Sequence, residues 1–117
     1  MSIEGLRGSL RNFASERDWE QFHTPKNLVM ALAGEVGELV AIFQWLSPDE
    51  SADAMADELR AGRVRDEMAD VFAYLLRLAD VLGVDLEAAL EAKMIKNARR
   101  YPVEAARGNT EKYTDLL

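Results

Sequence analysis

Glu35 and Glu38 stand three residues apart, and so do Glu67 and Asp70, each pair inside a stretch rich in helix formers. Three helical residues mean about 300° of rotation and ~4.5 Å of rise, so both members of a pair project from nearly one side of the rod. Around the first pair, Leu28, Leu32, Leu39, Ile42 and Leu46 recur at the steps of an amphipathic helix running from Asn27 to Leu46. The step after Leu32 falls on Glu35, where the pattern asks for leucine. A glutamate at a core position is costly unless it is paired or holds a metal. Glu67 and Asp70 repeat the anomaly beside the seam Val64, Met68, Val71, Leu75, Leu78 and Leu82, with Tyr74 one turn further on.

If the two helices pack together, four carboxylates meet in one small volume. Two like charges 4 Å apart repel by about 4 kcal/mol at an effective dielectric near 20, so the group needs shared protons, lysines or cations. Oxygen donors in a chain with no cysteine and one histidine favour Mg²⁺ or Mn²⁺ over Zn²⁺. The ferritin-like di-iron pattern needs Glu-x-x-His on two helices and is excluded. Magnesium typically works with a few carboxylates and a substrate's phosphates. Lys93 and Asn97 extend the Leu86–Leu90 stripe of a further helix, and Lys96, Arg99 and Arg100 add positive charge nearby. The blander reading makes the four acids solvated helix charges paired with arginines such as Arg63, Arg65 and Arg77.

Composition narrows the classes. At 117 residues and 49% apolar, the chain is one domain with a core, not a disordered tail. A net charge of −7 argues against a nucleic acid polymer or an anionic membrane as partner. The absence of cysteine excludes disulfides, thiolate zinc sites and cysteine nucleophiles. No signal-peptide core opens the chain, and no stretch approaches the ~20 apolar residues of a membrane span. The expected setting is the cytoplasm.

The elements that must position the acids read as follows. Residues 2–21 predict a first helix with Ile3, Leu6, Leu10 and Phe13 on one side, closed by the flat side chains of Trp19, Phe22 and His23. Thr24-Pro25 predicts an N-cap and a proline in the first turn of the second helix. The acidic, alanine-rich stretch 47–62 predicts a loop with a short helix over 53–60, stopped by Gly62. A third long helix follows from Arg63 to Leu82, terminated by Gly83, and Asp85 caps a fourth from Leu86 to about Tyr101. That helix is expected to turn Leu86, Ala89, Leu90 and Met94 inward. The chain is therefore all-α: a bundle of four main helices plus a short connecting helix, with a domain over 1–102 and a polar arm over 103–117. The first helix and the Val36, Val40 and Phe43 side of the second offer more apolar surface than one small core needs, which predicts homo-oligomerisation.

Glu35-x-x-Glu38 with Glu67-x-x-Asp70, followed by Lys93-x-x-Lys96-Asn97-x-x-Arg100-Tyr101-Pro102, resembles the signature of the all-α nucleotide pyrophosphohydrolases of the MazG type. The run from Arg17 through Trp19 and Phe22-His23, then Leu32 to Leu39 and Phe43-Gln44-Trp45, is similar to the dCTP pyrophosphatases within that family. The resemblance implies hydrolysis between the α and β phosphates of a (deoxy)nucleoside triphosphate, dCTP or a 5-modified relative, to the monophosphate and pyrophosphate. It implies that Glu35, Glu38, Glu67 and Asp70 hold Mg²⁺ around the reacting water, and that Lys93 and Asn97 meet the phosphates. Trp19, His23, Trp45 and Tyr74 would shape the base and sugar pocket, some lent by a neighbouring subunit of a homodimer or homotetramer. Read without the resemblance, Trp19, Phe22 and Trp45 are more often core or interface aromatics than a base-stacking box. A rival from another class is a non-catalytic helical oligomer that binds a protein or a nucleotide. A narrower rival keeps the chemistry on another base, such as dUTP.

Overall fold

The computed structural model describes residues 1–112 and Thr114, and every regular element among them is helical. Side-chain caps start the first five α-helices, each contributing about 1 kcal/mol. Ser2 accepts from the Gly5 N–H to open α1 (Ile3–Glu16), and Thr24 accepts from Asn27 to open α2 (Pro25–Phe43). Ser47 and Glu50 form a reciprocal capping box at the start of α3 (Pro48–Ala52). Asp57 caps α4 (Glu58–Leu82), which Gly83 ends at φ 69°, a left-handed conformation that glycine adopts without strain. Asp85 caps α5 (Leu86–Arg100), and α6 (Val103–Ala106) follows.

Several boundaries differ from the sequence-based expectation. The first helix stops at Glu16, because Asp18 takes a left-handed φ of 54° and the chain turns back. Trp19, its N–H bonded to the Ala14 carbonyl, then leads into a 3₁₀ turn over Glu20–Phe22. The short helix lies at Pro48–Ala52 rather than 53–60, since the capping box begins it there and a 3₁₀ turn over Ala54–Ala56 follows it. Gly62 does not stop a helix at all; α4 runs through it. A glycine inside a helix costs ~1 kcal/mol relative to alanine, and burial of Ala61 and Val64 on either side offsets that.

The chain separates into two compact units, Met1–Gly83 and Val84–Leu117. In the first, α4 packs against both α1 and α2. Half of its buried apolar residues are alanines, with Leu28 and Leu76 the largest fully buried side chains. On α2 the expected stripe points inward: Leu28 and Ile42 are buried and Leu32 and Leu39 half-buried, while Leu46, expected on the helix, lies half-buried past its end at Phe43. On α4 the seam is rotated from its expected line. Val64, Val71 and Leu78 face in, whereas Met68, Leu75 and Leu82 are exposed. Neighbouring columns stand about 100° apart around a helix, so packing against α1 and α2 turns one of them inward and the other outward. The column that replaces Met68 and Leu75 is that of Glu67 and Tyr74, both half-buried. The acids thus stand on the packed face itself.

In the second unit Leu86 is half-buried, but Ala89, Leu90 and Met94 of α5, expected inward, are exposed in the single chain. Among the described residues, the helix that follows in that unit is the four-residue α6, too small to cover a helix face. α6 falls within the expected polar arm; positions 113 and 115–117 of that arm lie outside the described residues. Among the described residues, no helix is long and apolar enough to cross a membrane.

Candidate active site

Helix packing brings Glu35 of α2 to Glu67 and Asp70 of α4, with one ligand oxygen from each lying within 4.8 Å of the others. Glu35 and Glu67 are half-buried and Asp70 exposed. Glu38, expected as the fourth member, is exposed and stands outside this trio, yet close enough for its charge to act on Glu35. Oε2 of Glu67 is buried and has no hydrogen-bonding partner. Three ionised carboxylates at this spacing repel by about 3 kcal/mol per pair at an effective dielectric near 20. Glu35 carries the consequence. Burial pushes its carboxyl above the usual range, followed by the charge of Asp70, a hydrogen bond with Glu67 and the charges of Glu67 and Glu38.

This donor set fits a hard divalent cation. The three side-chain oxygens are gathered closely enough to be shared by one such ion, which takes oxygen donors of this kind. The orphaned Glu67 oxygen is the sort of atom that such an ion satisfies.

Beside the acids lies a cavity of about 180 Å³, walled by Leu10, Phe13 and Ala14 of α1, by Trp19 and His23 of the turn, and by Asp70, Ala73, Tyr74 and Arg77 of α4. Drug-sized ligands occupy roughly 300 Å³ or more, so this space takes one ring system rather than a whole nucleotide. Its aromatic wall is ordered by edge-to-face contacts. Phe13 and Trp19 meet at 5.7 Å and 69°, and Trp19 and His23 at 6.3 Å and 61°. Arg17 lies 3.5 Å from the centre of the Phe13 ring and closes the back of the stack. The Asn27 side chain donates to the Phe22 carbonyl at 3.0 Å, which ties the turn carrying His23 to the first turn of α2. Asp70 belongs to both the acid trio and the cavity wall.

Trp45, Lys93 and Asn97 complete the expected site residues. Trp45, just beyond the C-terminus of α2, is 87% exposed and does not line this cavity. Lys93 and Asn97 sit four residues apart on α5 in the second unit, both exposed.

Arg77, read from sequence as one of several partners for the acids, turns instead to Asp80 and His23. It donates from NH1 to Asp80 Oδ2 and from Nε to His23 Nδ1, both at 3.0 Å. Asp80 also accepts from Arg11 Nε at 3.0 Å and from Arg7 at 3.4 Å. The signal for Arg77 was present in the spacing: Glu67, Asp70, Tyr74 and Arg77 continue one helical face at three- and four-residue steps. Asp80 extends it by one more.

The profile of the MazG-like family matches residues 31–116, most of the chain. The chain belongs to the MazG-like family. It is 48% identical to dCTP pyrophosphatase 1 of Bos taurus and 44% identical to that of Homo sapiens, in both cases over 98% of its own length and 68% of the relative's. The crystal structure of a pyrophosphatase from Archaeoglobus fulgidus superposes with a TM-score of 0.80 at 46% identity, over 86% of this chain and 92% of that one. The MazG-like fold therefore carries the acid trio and the aromatic cavity side by side.

Proposed function

We propose that this chain is a nucleoside triphosphate pyrophosphohydrolase that cleaves dCTP, or a 5-modified relative, to the monophosphate and pyrophosphate. The observation that carries this reading is Asp70, shared between a cation-binding trio and a cavity sized for one ring. A base seated in the cavity leaves its phosphates to be held beside the acids. Relatives at 44–48% identity named dCTP pyrophosphatase 1 support the substrate.

Catalysis depends on a divalent metal, as is general for MazG-like pyrophosphatases, and Mg²⁺ suits the all-oxygen donors best. Bound by Glu35, Glu67 and Asp70, with Glu38 one turn away, such an ion would neutralise phosphate charge and acidify water. The side chains supply the rest. Trp19 and Tyr74 flank the base, and a carboxylate of the cluster takes the proton of the attacking water. The water oxygen bonds to phosphorus as the bridging P–O bond breaks, releasing pyrophosphate. On the family resemblance, Lys93 and Asn97 contact the phosphates.

Phosphate release coupled to an inorganic pyrophosphatase, run over a panel of triphosphates, tests the reading. The expected result is turnover greatest with dCTP and abolished by EDTA. Preference for dUTP would keep the chemistry and change the base. No turnover of any triphosphate would leave the non-catalytic binder.

We also assign a homo-oligomer, because Val29, Met30, Val36 and Val40 of α2 are left exposed in the single chain. The exposed Trp45 is then available to a neighbouring subunit. Light scattering should return at least twice the 13.1 kDa mass of the chain; a monomer at micromolar concentration rules the assignment out.

A further inference from the structure

Arg77 touches neither the acid trio nor any phosphate position proposed above, yet it is only 8% exposed and lies in the cavity wall. Its guanidinium cannot lose a proton inside a protein and offers only donors. The Arg77 Nε–H therefore needs a bare lone pair on His23 Nδ1, 3.0 Å away. An imidazole whose Nδ1 is bare, and neutral, carries its proton on Nε2. A doubly protonated ring would set N–H against N–H. Burial first, and then the charge of Arg77, hold the His23 pKa below its ordinary value, which keeps the ring neutral.

The donor is itself locked from behind. NH1 of Arg77 is bonded to Asp80, and Asp80 is held in turn by Arg7 and Arg11 of α1. The edge contact of Trp19 restrains the imidazole ring on a further side. With Nδ1 occupied, Nε2–H is the one ring nitrogen of His23 left for a ligand, and His23 lines the cavity.

We propose that Arg77 is a positioning residue that presets His23 as an Nε2–H donor for a ring acceptor of the base, N3 of cytosine. This rests on the cavity being the base pocket, as proposed above. Cytosine presents a bare N3, whereas uracil and thymine carry a proton there and would set a donor against a donor. A site built around a fixed donor rejects the mismatched base more strongly than one with a freely tautomerising imidazole, because the mismatch leaves buried polar groups unpaired. The Arg77–Asp80 pair thus supports selection of the base without touching it.

His23 is the only histidine of the chain, so long-range ¹H–¹⁵N spectra of the ring report on it alone. The native protein near neutral pH should show an unprotonated Nδ1 and a protonated Nε2, and dCMP, but not dUMP, should shift Nε2. Arg77→Met should give a mixture of tautomers. It should also raise KM for dCTP by about tenfold, the equivalent of one hydrogen bond, with kcat within a few-fold, and narrow the preference for dCTP over dUTP. A native ring protonated on Nδ1 overturns the proposal even if Arg77→Met fails to fold. So does a variant whose tautomer and base preference are unchanged. Native protein that hydrolyses dCTP with no Nε2 response to dCMP defeats this proposal alone. Native protein that turns over no triphosphate defeats the reading beneath it, and this one with it.

Discussion

Glu67→Gln is expected to lower dCTP turnover by about 10³-fold, equivalent to ~4 kcal/mol of transition-state stabilisation, while leaving helicity intact. Glu67 is the acid to change because its Oε2 is buried without a partner. The amide conserves shape, removes one of three mutually repelling charges and gives its neighbours a donor. In metal-free buffer the variant should therefore be more stable than the native chain. A gain of about 1 kcal/mol raises Tm by roughly 4 °C in a domain of this size. Mg²⁺ should raise the native Tm and leave that of Glu67→Gln almost unchanged, because a ligand stabilises only the state that binds it. Calorimetry with and without Mg²⁺, alongside turnover, checks both halves. Full activity in the variant, or a native Tm indifferent to every divalent cation, would remove the acid trio from the mechanism.

Asp80→Asn should produce the largest loss of stability in the molecule. The Asp80 side chain is 7% exposed and its partner Arg77 9%, so the pair is desolvated and held by direct hydrogen bonds. Removing one member of a buried pair costs about 3–5 kcal/mol, since the other charge stays buried without compensation. Arg7, whose Nε is already buried without a partner, would lose its contact with Asp80 as well. A fall in Tm of at least ~10 °C is expected. Acid should act in the same sense. Asp80 is held below its ordinary value of 3.8 chiefly by the hydrogen bond from Arg11. Between that depressed value and 3.8 the unfolded chain binds the proton and the folded one does not. The contribution of Asp80 is therefore complete above 3.8 and lost as pH falls through the folded value. Urea midpoints across this range should show an acid limb in the native chain that is flattened in Asp80→Asn. An unchanged midpoint would show that the arginine cluster holds α1 to α4 without its acid.

Both variants bear on one face of α4. Glu67 and Asp70 meet the acid of α2, Tyr74 walls the cavity, Arg77 orders His23, and Asp80 fastens the face to α1. On the reading proposed above, chemistry, recognition and stability are stacked along one helix.

Much of this was legible in the residues because its causes are local. Thr24, Asp85 and Gly83 act within one helical turn, so capping could be read directly. The α2 stripe was also readable, and Glu35 within it, because α2 buries a single face at the expected period. What the sequence could not rank was Gly62 against the burial of Ala61 and Val64, since only packing sets the second term. The same holds for the α4 seam, where the apolar pattern favours Met68 and Leu75 but contact with α2 turns inward the column bearing Glu67 and Tyr74. Which acids converge, and that Glu38 stands apart, followed from how α2 lies on α4. The bond from Arg77 to His23 spans 54 positions and those from α1 to Asp80 span 69 and 73. No periodicity encodes such distances. Residue types and local spacing specified the helices and nominated the chemistry; the packing of α1 and α2 on α4 decided which nominees meet, because side chains far apart in sequence are brought together only by the tertiary structure.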